Sequence, residues 1–282
     1  GYCRYCPGSG NWNTSCQYPI ISGSMRLVWK AFSLCKEGNR EEENEDAIFP
    51  QIVNGSSLTA DQFSCAMSDG ATQSSFSRLW AGLLVKESSQ SHTMSQDINQ
   101  TVNSARIKWK NALPDNELPW PATIKIRQGS FATLLWFHIW QNNGFSGFSS
   151  APKNHGWAAS AVGDTCLFQV VKGRFLSSFP LTKATQFSNT PELISTSLTY
   201  SRARVNNITS SGIWNKGDHF LIASDALSQW IIARVESGSL TWPVVSMNLT
   251  SLVRYQTWIR SLRRLNQIKN DDTSLICLTV DE

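Results

Sequence analysis

Apolar and polar positions along the chain fall into runs with two distinct periods. Met25–Ser33 reads as a first strand, and Gln62–Met67 as a short buried strand that delivers Asp69 and Gly70 into a polar turn. Behind that turn Phe76, Leu79, Trp80, Leu83 and Leu84 recur at i, i+3, i+4, i+7 and i+8, which predicts a helix with Ser74 or Ser75 placed to cap it. Ile98, Val102, Ala105 and Trp109 predict a second helix, stopped by Pro114, Pro119 and Pro121. Phe131–Trp140 is a strongly apolar strand. Trp157–Val162 and Cys166–Val171 flank Gly163, Asp164 and Thr165 in the manner of a hairpin or a bent strand. Residues 176–205 carry little periodicity and read as a flap or surface excursion. The strand His219–Ser224 then ends in Asp225 and passes into a helix bearing Leu227, Trp230, Ile231 and Ile232, repeating the arrangement at Asp69. Leu252, Tyr255, Ile259 and Leu262 mark a last long helix whose arginines Arg254, Arg260, Arg263 and Arg264 read as its solvated face. Ser274–Val280 is the closing strand.

Strands interspersed with helices, without a Gly-rich phosphate loop or dinucleotide fingerprint, imply a mixed α and β domain with largely antiparallel sheets. At 282 residues and 41% hydrophobic, the chain can bury a substantial core. Its net charge of +4 comes without long basic runs or aromatics interleaved with them, which argues against nucleic-acid binding. No apolar run approaches the ~20 residues that span a bilayer, and the expectation is a soluble, cytoplasmic monomer. Residues 1–24 form a Cys/Gly/Ser-rich leader or linker, and residues 25–282 a single domain. The chain starts at Gly1 rather than methionine, as a fragment or processed product does. Of the seven cysteines, Cys65, Cys166 and Cys277 sit in apolar runs as small hydrophobes. Cys3 and Cys6 have the spacing of half a zinc site, with Cys16 nearby but no evident fourth ligand. His138, inside an apolar strand, reads as a hydrogen-bonded histidine rather than a ligand.

Glu45, Asp69, Asp225 and Asp271 share one property: each lies where a polar turn meets an apolar strand. Asp69 alone reads as a helix cap, and the charged segment Cys35 to Asp46 as a solvated loop, except that Glu45 and Asp46 abut the next strand and can be aimed inward. In a sandwich of sheets, however, such acids can converge at one end, and they can be gathered only if cations offset their repulsion. An all-oxygen set points to Mg2+ or Mn2+ rather than zinc. Two such ions ~3.5–4 Å apart would activate water and clamp a phosphoryl group.

Asn44-Glu45-Asp46-Ala47, Ser68-Asp69-Gly70, Val162-Gly163-Asp164-Thr165, Ala223-Ser224-Asp225-Ala226 and Asn270-Asp271-Asp272-Thr273-Ser274 occur in the order and rough spacing of one known family. Over about residues 25–280 the chain resembles the metal-dependent type 2C serine/threonine protein phosphatases, in their bacterial 2C-like branch by the segments Asp69–Trp80 and Phe175–Pro180. The resemblance implies an α+β fold, a four-layer α-β-β-α sandwich of two antiparallel sheets flanked by helices, with two Mn2+ or Mg2+ ions in a cleft at one edge. It implies that Asp69 bridges the ions, that Asp225 and Asp271 complete one of them, and that Glu45 and the Gly70 carbonyl hold the other, with Asp46 binding through waters. Asp164 matches a position that helps hold a weak third ion, and as a hairpin residue it has an equally simple structural role. The nucleophile implied is a metal-bound water held by Asp69 and Asp225, with no phosphoenzyme. The implied partner is a phosphorylated protein substrate with a cognate serine/threonine kinase.

The chain departs from that pattern at several points. Ala71 stands where many animal relatives have a histidine, so that general acid is absent. The phosphate-binding arginine usually lies where this chain has Glu41, with Arg40 one step away. Gln229 replaces an aspartate of the third-ion site, and Asp272 replaces an asparagine and adds negative charge to the cleft. Two other readings compete with a phosphoserine/phosphothreonine phosphatase: a catalytically silent module that binds phosphorylated partners or regulates a kinase, and an enzyme acting on small phosphoesters.

Overall fold

The structure, a computed structural model, describes residues 24–51, 53–71, 76–90, 98–113, 129–141, 155–197 and 205–281. The leader but for its last residue, the cysteines Cys3, Cys6 and Cys16, the cap candidates Ser74 and Ser75, and the prolines Pro114, Pro119 and Pro121 all lie outside them.

The strands are β1 (Met25–Leu34), β2 (Ala47–Phe49), β3 (Val53–Ala60), β4 (Gln62–Ser68), β5 (Phe131–Ala132), β6 (Leu134–Gln141), β7 (His155–Val162), β8 (Cys166–Val171), β9 (Arg174–Phe179), β10 (Ile194–Ser195), β11 (Ile208–Gly212), β12 (His219–Ala223) and β13 (Thr273–Val280). The helices are α1 (Ser77–Gln90), α2 (Ile98–Ala112), α3 (Asp225–Glu236), α4 (Trp242–Ser246) and α5 (Leu252–Arg264). One antiparallel sheet has the order β3-β1-β13-β12-β8-β9 and the other β11-β7-β6-β4-β2, while β5 pairs with β10.

Strand alternation builds the layers. In β13, Ile276, Leu278 and Val280 face the opposite sheet, where they meet Phe63, Cys65 and Met67 of β4 and Leu135, Phe137 and Ile139 of β6. The intervening Leu275 and Cys277 face outward onto Leu227, Trp230 and Ile231 of α3 and Tyr255, Ile259 and Leu262 of α5. On the other side, Trp136 and Trp140 of β6 pack against Trp80 and Leu84 of α1 and Val102 and Trp109 of α2. The result is the expected four-layer α-β-β-α sandwich. Burial on both faces explains why β6 and β13 are almost unbroken apolar runs.

Some elements differ from the sequence reading. Trp157–Val162 and Cys166–Val171 are not a hairpin: β7 pairs with β6 and β11, β8 with β12 and β9, and Gly163–Thr165 carries the chain from one sheet to the other. The pattern misleads because both strands turn apolar side chains, Ala161 and Leu167, into the same core between the sheets. Gly163 has φ +99° and a Cβ there would lie 2.6 Å from Thr133, so the crossing requires glycine. Phe131–Trp140 is broken at Thr133 into β5 and β6. Strands β3, β9 and β11 went unread because they are sheet edges with a polar, exposed face that pairing, not apolar pattern, holds in place. The excursion begins as β9, then passes through a turn of 3-10 helix at Ala184–Gln186 to β10. His138 is buried, with Nδ1 2.6 Å from the Ser64 hydroxyl and its ring stacked on Trp140, as a core histidine.

Arg263 is the clearest correction to the helix reading. Arg254, Arg260 and Arg264 are exposed, but Arg263 follows Tyr255 and Ile259 on the inner stripe of α5 and is only 7% exposed. Its guanidinium donates to the carbonyls of Cys35 (2.8 Å) and Asp271 (2.5 Å) and to Thr273 Oγ1 (3.1 Å), tying the end of β1 to the start of β13. Arg263→Ala leaves these acceptors unanswered and should lower unfolding free energy by about 2–4 kcal/mol, with partial recovery in Arg263→Lys. Urea denaturation of the three proteins measures this, and an unchanged midpoint in Arg263→Ala would refute it.

Candidate metal centre at the sheet ends

Each acid singled out in the sequence stands at a place the topology brings to one end of the sandwich. Glu45 and Asp46 precede β2, Asp69 follows β4, Asp164 lies in the crossing between the sheets, Asp225 opens α3 after β12, and Asp271 precedes β13. Short hydrogen bonds fix their backbone. Asp69 and Thr133 exchange bonds, Asp69 N–H to Thr133 Oγ1 (2.9 Å) and Thr133 N–H to the Asp69 carbonyl (2.8 Å), and Thr133 Oγ1 also lies 3.0 Å from Thr165 Oγ1. Gly70 donates its N–H to the Glu45 carbonyl at 3.3 Å, and a Cβ on it would come within 3.0 Å of that oxygen and of Ser77. Glycine lets the loop before β2 lie this close to the end of β4, and a larger residue would have to push it back by a few tenths of an ångström.

A buried hydroxyl network underlies the acids. Asn44 Nδ2 donates to Ser33 Oγ (2.7 Å), Ser274 Oγ to the same oxygen (2.8 Å), and the Ser274 N–H to Ser224 Oγ (2.9 Å). Asp272 adds the expected negative charge, which is felt at Asp46, and also braces the backbone. It is 4% exposed, and its two carboxylate oxygens accept the backbone N–H groups of Lys36 and Glu45, each at 2.8 Å. Its charge is therefore engaged in holding the loop that carries Glu45.

The electrostatics record the convergence. Burial pushes Asp69 well above the ordinary carboxylate range, and the charges of Asp46, Asp225, Asp164 and Asp271 push it further. Asp46 is likewise raised well above 3.8, by burial first and by Asp272 and Asp225 after it, with the Ser274 and Ser224 hydroxyls moderating the rise. Burial and the Asp225 charge lift Asp164 to about 7. Asp225 is raised by burial and Asp271, and Lys269 opposes this. Asp225 Oδ1 accepts the Ala226 N–H at 2.6 Å.

Lys269, which the sequence reading passed over, is the cation at this centre. Its Nζ lies 2.7 Å from Asp271 Oδ2 and 3.7 Å from Asp225 Oδ2. Lys36, also unread, lies 3.9 Å from Glu45 Oε2, whose partner oxygen accepts from the Ser77 hydroxyl. The one available signal was a basic residue two positions before Asp271. Arg40 is not brought in: its side chain is 82% exposed and its Nε sits 3.7 Å from Glu43 Oε2. Gln229 donates to the Ala184 carbonyl at 3.4 Å.

The donor set fits a hard divalent cation. Both Asp46 carboxylate oxygens are buried without a hydrogen-bond partner among the described residues, and the charged neighbours Asp225 and Asp272 are carboxylates too. Among the described residues, however, no three His, Cys, Asp or Glu side chains are drawn together into a closed set around one point.

The same architecture occurs in known structures. Over 90% of this chain and 99% of the other, the photosystem II phosphatase PBCP superposes with a TM-score of 0.53 at 16% identity. This is the fold of the type 2C phosphatases. The Mycobacterium tuberculosis serine/threonine phosphatase PstP/Ppp gives a TM-score of 0.55 at 11% identity over 92% of this chain and 100% of its own. The S. agalactiae serine/threonine phosphatase gives 0.52 at 14% identity over 90% of this chain and 100% of its own. No protein-family model and no curated protein matches the chain in sequence. Among the described residues no helix is long and apolar enough to cross a membrane.

A raised carboxyl pKa means that the folded chain binds more protons than the unfolded one between 3.8 and about 7, so these acids subtract stability as pH rises through that window. The metal-free protein should melt at lower temperature near pH 7.5 than near pH 5, and Mn2+ should reverse the loss. Asp164→Asn should flatten the dependence and stabilise the chelated protein by about 1–3 kcal/mol near pH 8. Calorimetry in chelator checks this, and a melting temperature that rises across the window would exclude it.

Proposed function

We propose that the protein is a metal-dependent phosphatase that hydrolyses phosphoserine and phosphothreonine in proteins. The observation that carries the reading is the gathering of Asp46, Asp69, Asp164, Asp225 and Asp271 into mutual electrostatic contact, with the Asp46 carboxylate unpartnered, in a fold shared with serine/threonine phosphatases. Such a concentration of buried like charge opposes folding unless cations join it. Glu45, Asp46, Asp69, the Gly70 carbonyl, Asp225 and Asp271 would hold two Mn2+ or Mg2+ ions, and Asp164 a third. With Gln229 in place of an acid and turned to Ala184, that third ion is the weakest. Divalent ions held there supply Lewis-acid activation of water at neutral pH and offset the charge of the phosphoryl group.

The chain's own residues do the rest. Asp69 and Asp225 orient the attacking water in line with phosphorus. Lys269 and Lys36, on opposite flanks of the acids, offer positive charge to the phosphoryl oxygens, a role for which exposed Arg40 is poorly placed. Ala71 supplies no acid beside Gly70, so solvent protonates the leaving alkoxide. The substrate on this reading is a protein phosphorylated by a serine/threonine kinase.

Lys269 favours one second reading. An ammonium already bridging Asp225 and Asp271 would suit a silent module that keeps the fold and binds phosphorylated partners. Release of phosphate from a phosphothreonine peptide separates the two. The enzyme should require Mn2+ or Mg2+ and lose at least about 100-fold in kcat in both Asp69→Asn and Asp225→Asn. Folded wild type without activity, and without Mn2+ binding by titration calorimetry, would leave the silent module.

A further inference from the structure

Beside the acids lies a cleft of about 380 Å3 between α3 and the segment leading into β13, lined by Ala184, Gln229, Trp230, Arg234, Gln267 and Lys269 among others. No Asp or Glu lines it. The depression on the other flank, near Asp164, is by contrast lined by Asp164 and Glu192. The basic cleft is continuous with the candidate centre: Ala226, on its wall, donates to Asp225, and Lys269, on its rim, reaches Asp225 and Asp271.

Its chemistry is that of an anion site. The Arg234 guanidinium lies 5.8 Å from the centroid of the Trp230 ring and has no ion-pair partner among the described residues. The cation–π contact places the guanidinium over the ring face and leaves its N–H donors free for a carboxylate or phosphate. Trp230 is 8% exposed and packs edge-on against Trp258, so its ring is a fixed wall beside the guanidinium. Gln229 and Gln267 add side-chain amides to the same walls. An arginine without an ion-pair partner among the described residues and two side-chain amides, in a cleft that no Asp or Glu lines, match a fixed negative group and disfavour a cationic one.

We propose that this cleft is a specificity subsite for a second anionic side chain of the substrate, a carboxylate or another phosphate a few residues from the phosphoserine or phosphothreonine being hydrolysed. The proposal rests on the phosphatase reading for what occupies the centre, and Arg234 is its principal contact. Both anion sources share the guanidinium, and they differ in charge and reach.

The test uses the full chain and fluorescent seven-residue phosphothreonine peptides in which one aspartate, or one second phosphothreonine, is moved through the flanking positions against an alanine background. Affinity is read by anisotropy in Ca2+, and kcat/KM in Mn2+. At one or two positions the anionic residue should tighten binding and raise kcat/KM by about 10-fold, and salt should erode the gain. Arg234→Gln should bring the ratio of anionic to neutral peptide to about one, and Arg234→Glu should turn the preference toward a lysine at the same position, an inversion that a merely structural role would not produce. A gain confined to phosphothreonine identifies phosphate as the group read, and a gain shared by aspartate identifies negative charge in general. Equal binding of all peptides by wild type, or a preference that survives Arg234→Gln, would overturn the proposal. Hydrolysis of p-nitrophenyl phosphate, run alongside, reports on the centre alone, so its absence counts against the phosphatase reading while the affinity ratios still decide the subsite.

Discussion

Repulsion among buried carboxylates is the constraint to which the rest of this molecule answers. Asp46, Asp69, Asp164 and Asp225 are each raised by burial and by one another. Lys269 opposes them from the rim, 2.7 Å from Asp271 and 3.7 Å from Asp225. Side chains that repel in this way stay together only if their backbones are held by something stronger, and the three apolar layers provide it. The interior between the sheets and the two helix-covered outer faces bury most of the large side chains, far from the acids in composition but rigidly connected to them.

The transition from that apolar body to the charged end runs through a set of hydrogen-bonded polar groups. Ser33, Ser274, Ser224 and Asn44 bond to one another beneath the acids. Asp272 takes two backbone N–H groups from the neighbouring loop, and Arg263 reaches under the same strands from α5. Each of these residues holds a segment that bears an acid, so the geometry of the carboxylates is set by neighbours that do no chemistry.

Most of the central strands and helices were legible from alternation and helical period, because residues such as Ile276 and Leu278, or Leu227 and Ile231, repeat at the spacing their elements impose, whereas the order of the layers came from the family resemblance. Edge strands β3, β9 and β11 were not, since Ser56, Ser177 and Ser210 lie on strands held by hydrogen bonds to a neighbour rather than by their own burial. Nor was the crossing at Gly163–Thr165, because adjacent apolar runs look alike whether they pair or part. The acids were visible as a set through their position at strand ends. The cations were not, because a lysine's reach is fixed by the fold: Lys269 resembles any loop lysine until α3 and β13 are set beside it. Arg263 lies one helical turn beyond Ile259, so its place on the inner face follows from the period of α5 even though its charge suggests solvent.

The crossing has a consequence for how the centre behaves as a mechanical object. Asp69 hangs from β4 and Glu45 and Asp46 from the approach to β2, both in one sheet, whereas Asp225 and Asp271 belong to strands of the other. Asp164 sits in the three-residue connection that carries the chain from β7 of the first sheet into β8 of the second. The two halves of the acid set therefore ride on separate plates, and the gap between them is set by how closely aromatic rings such as Phe137 and Phe220, 5.1 Å apart at their centroids, let those plates approach. The deep core is in this sense a caliper, and the thickness it imposes is measured out again, several strand residues away, as the spacing of the carboxylates.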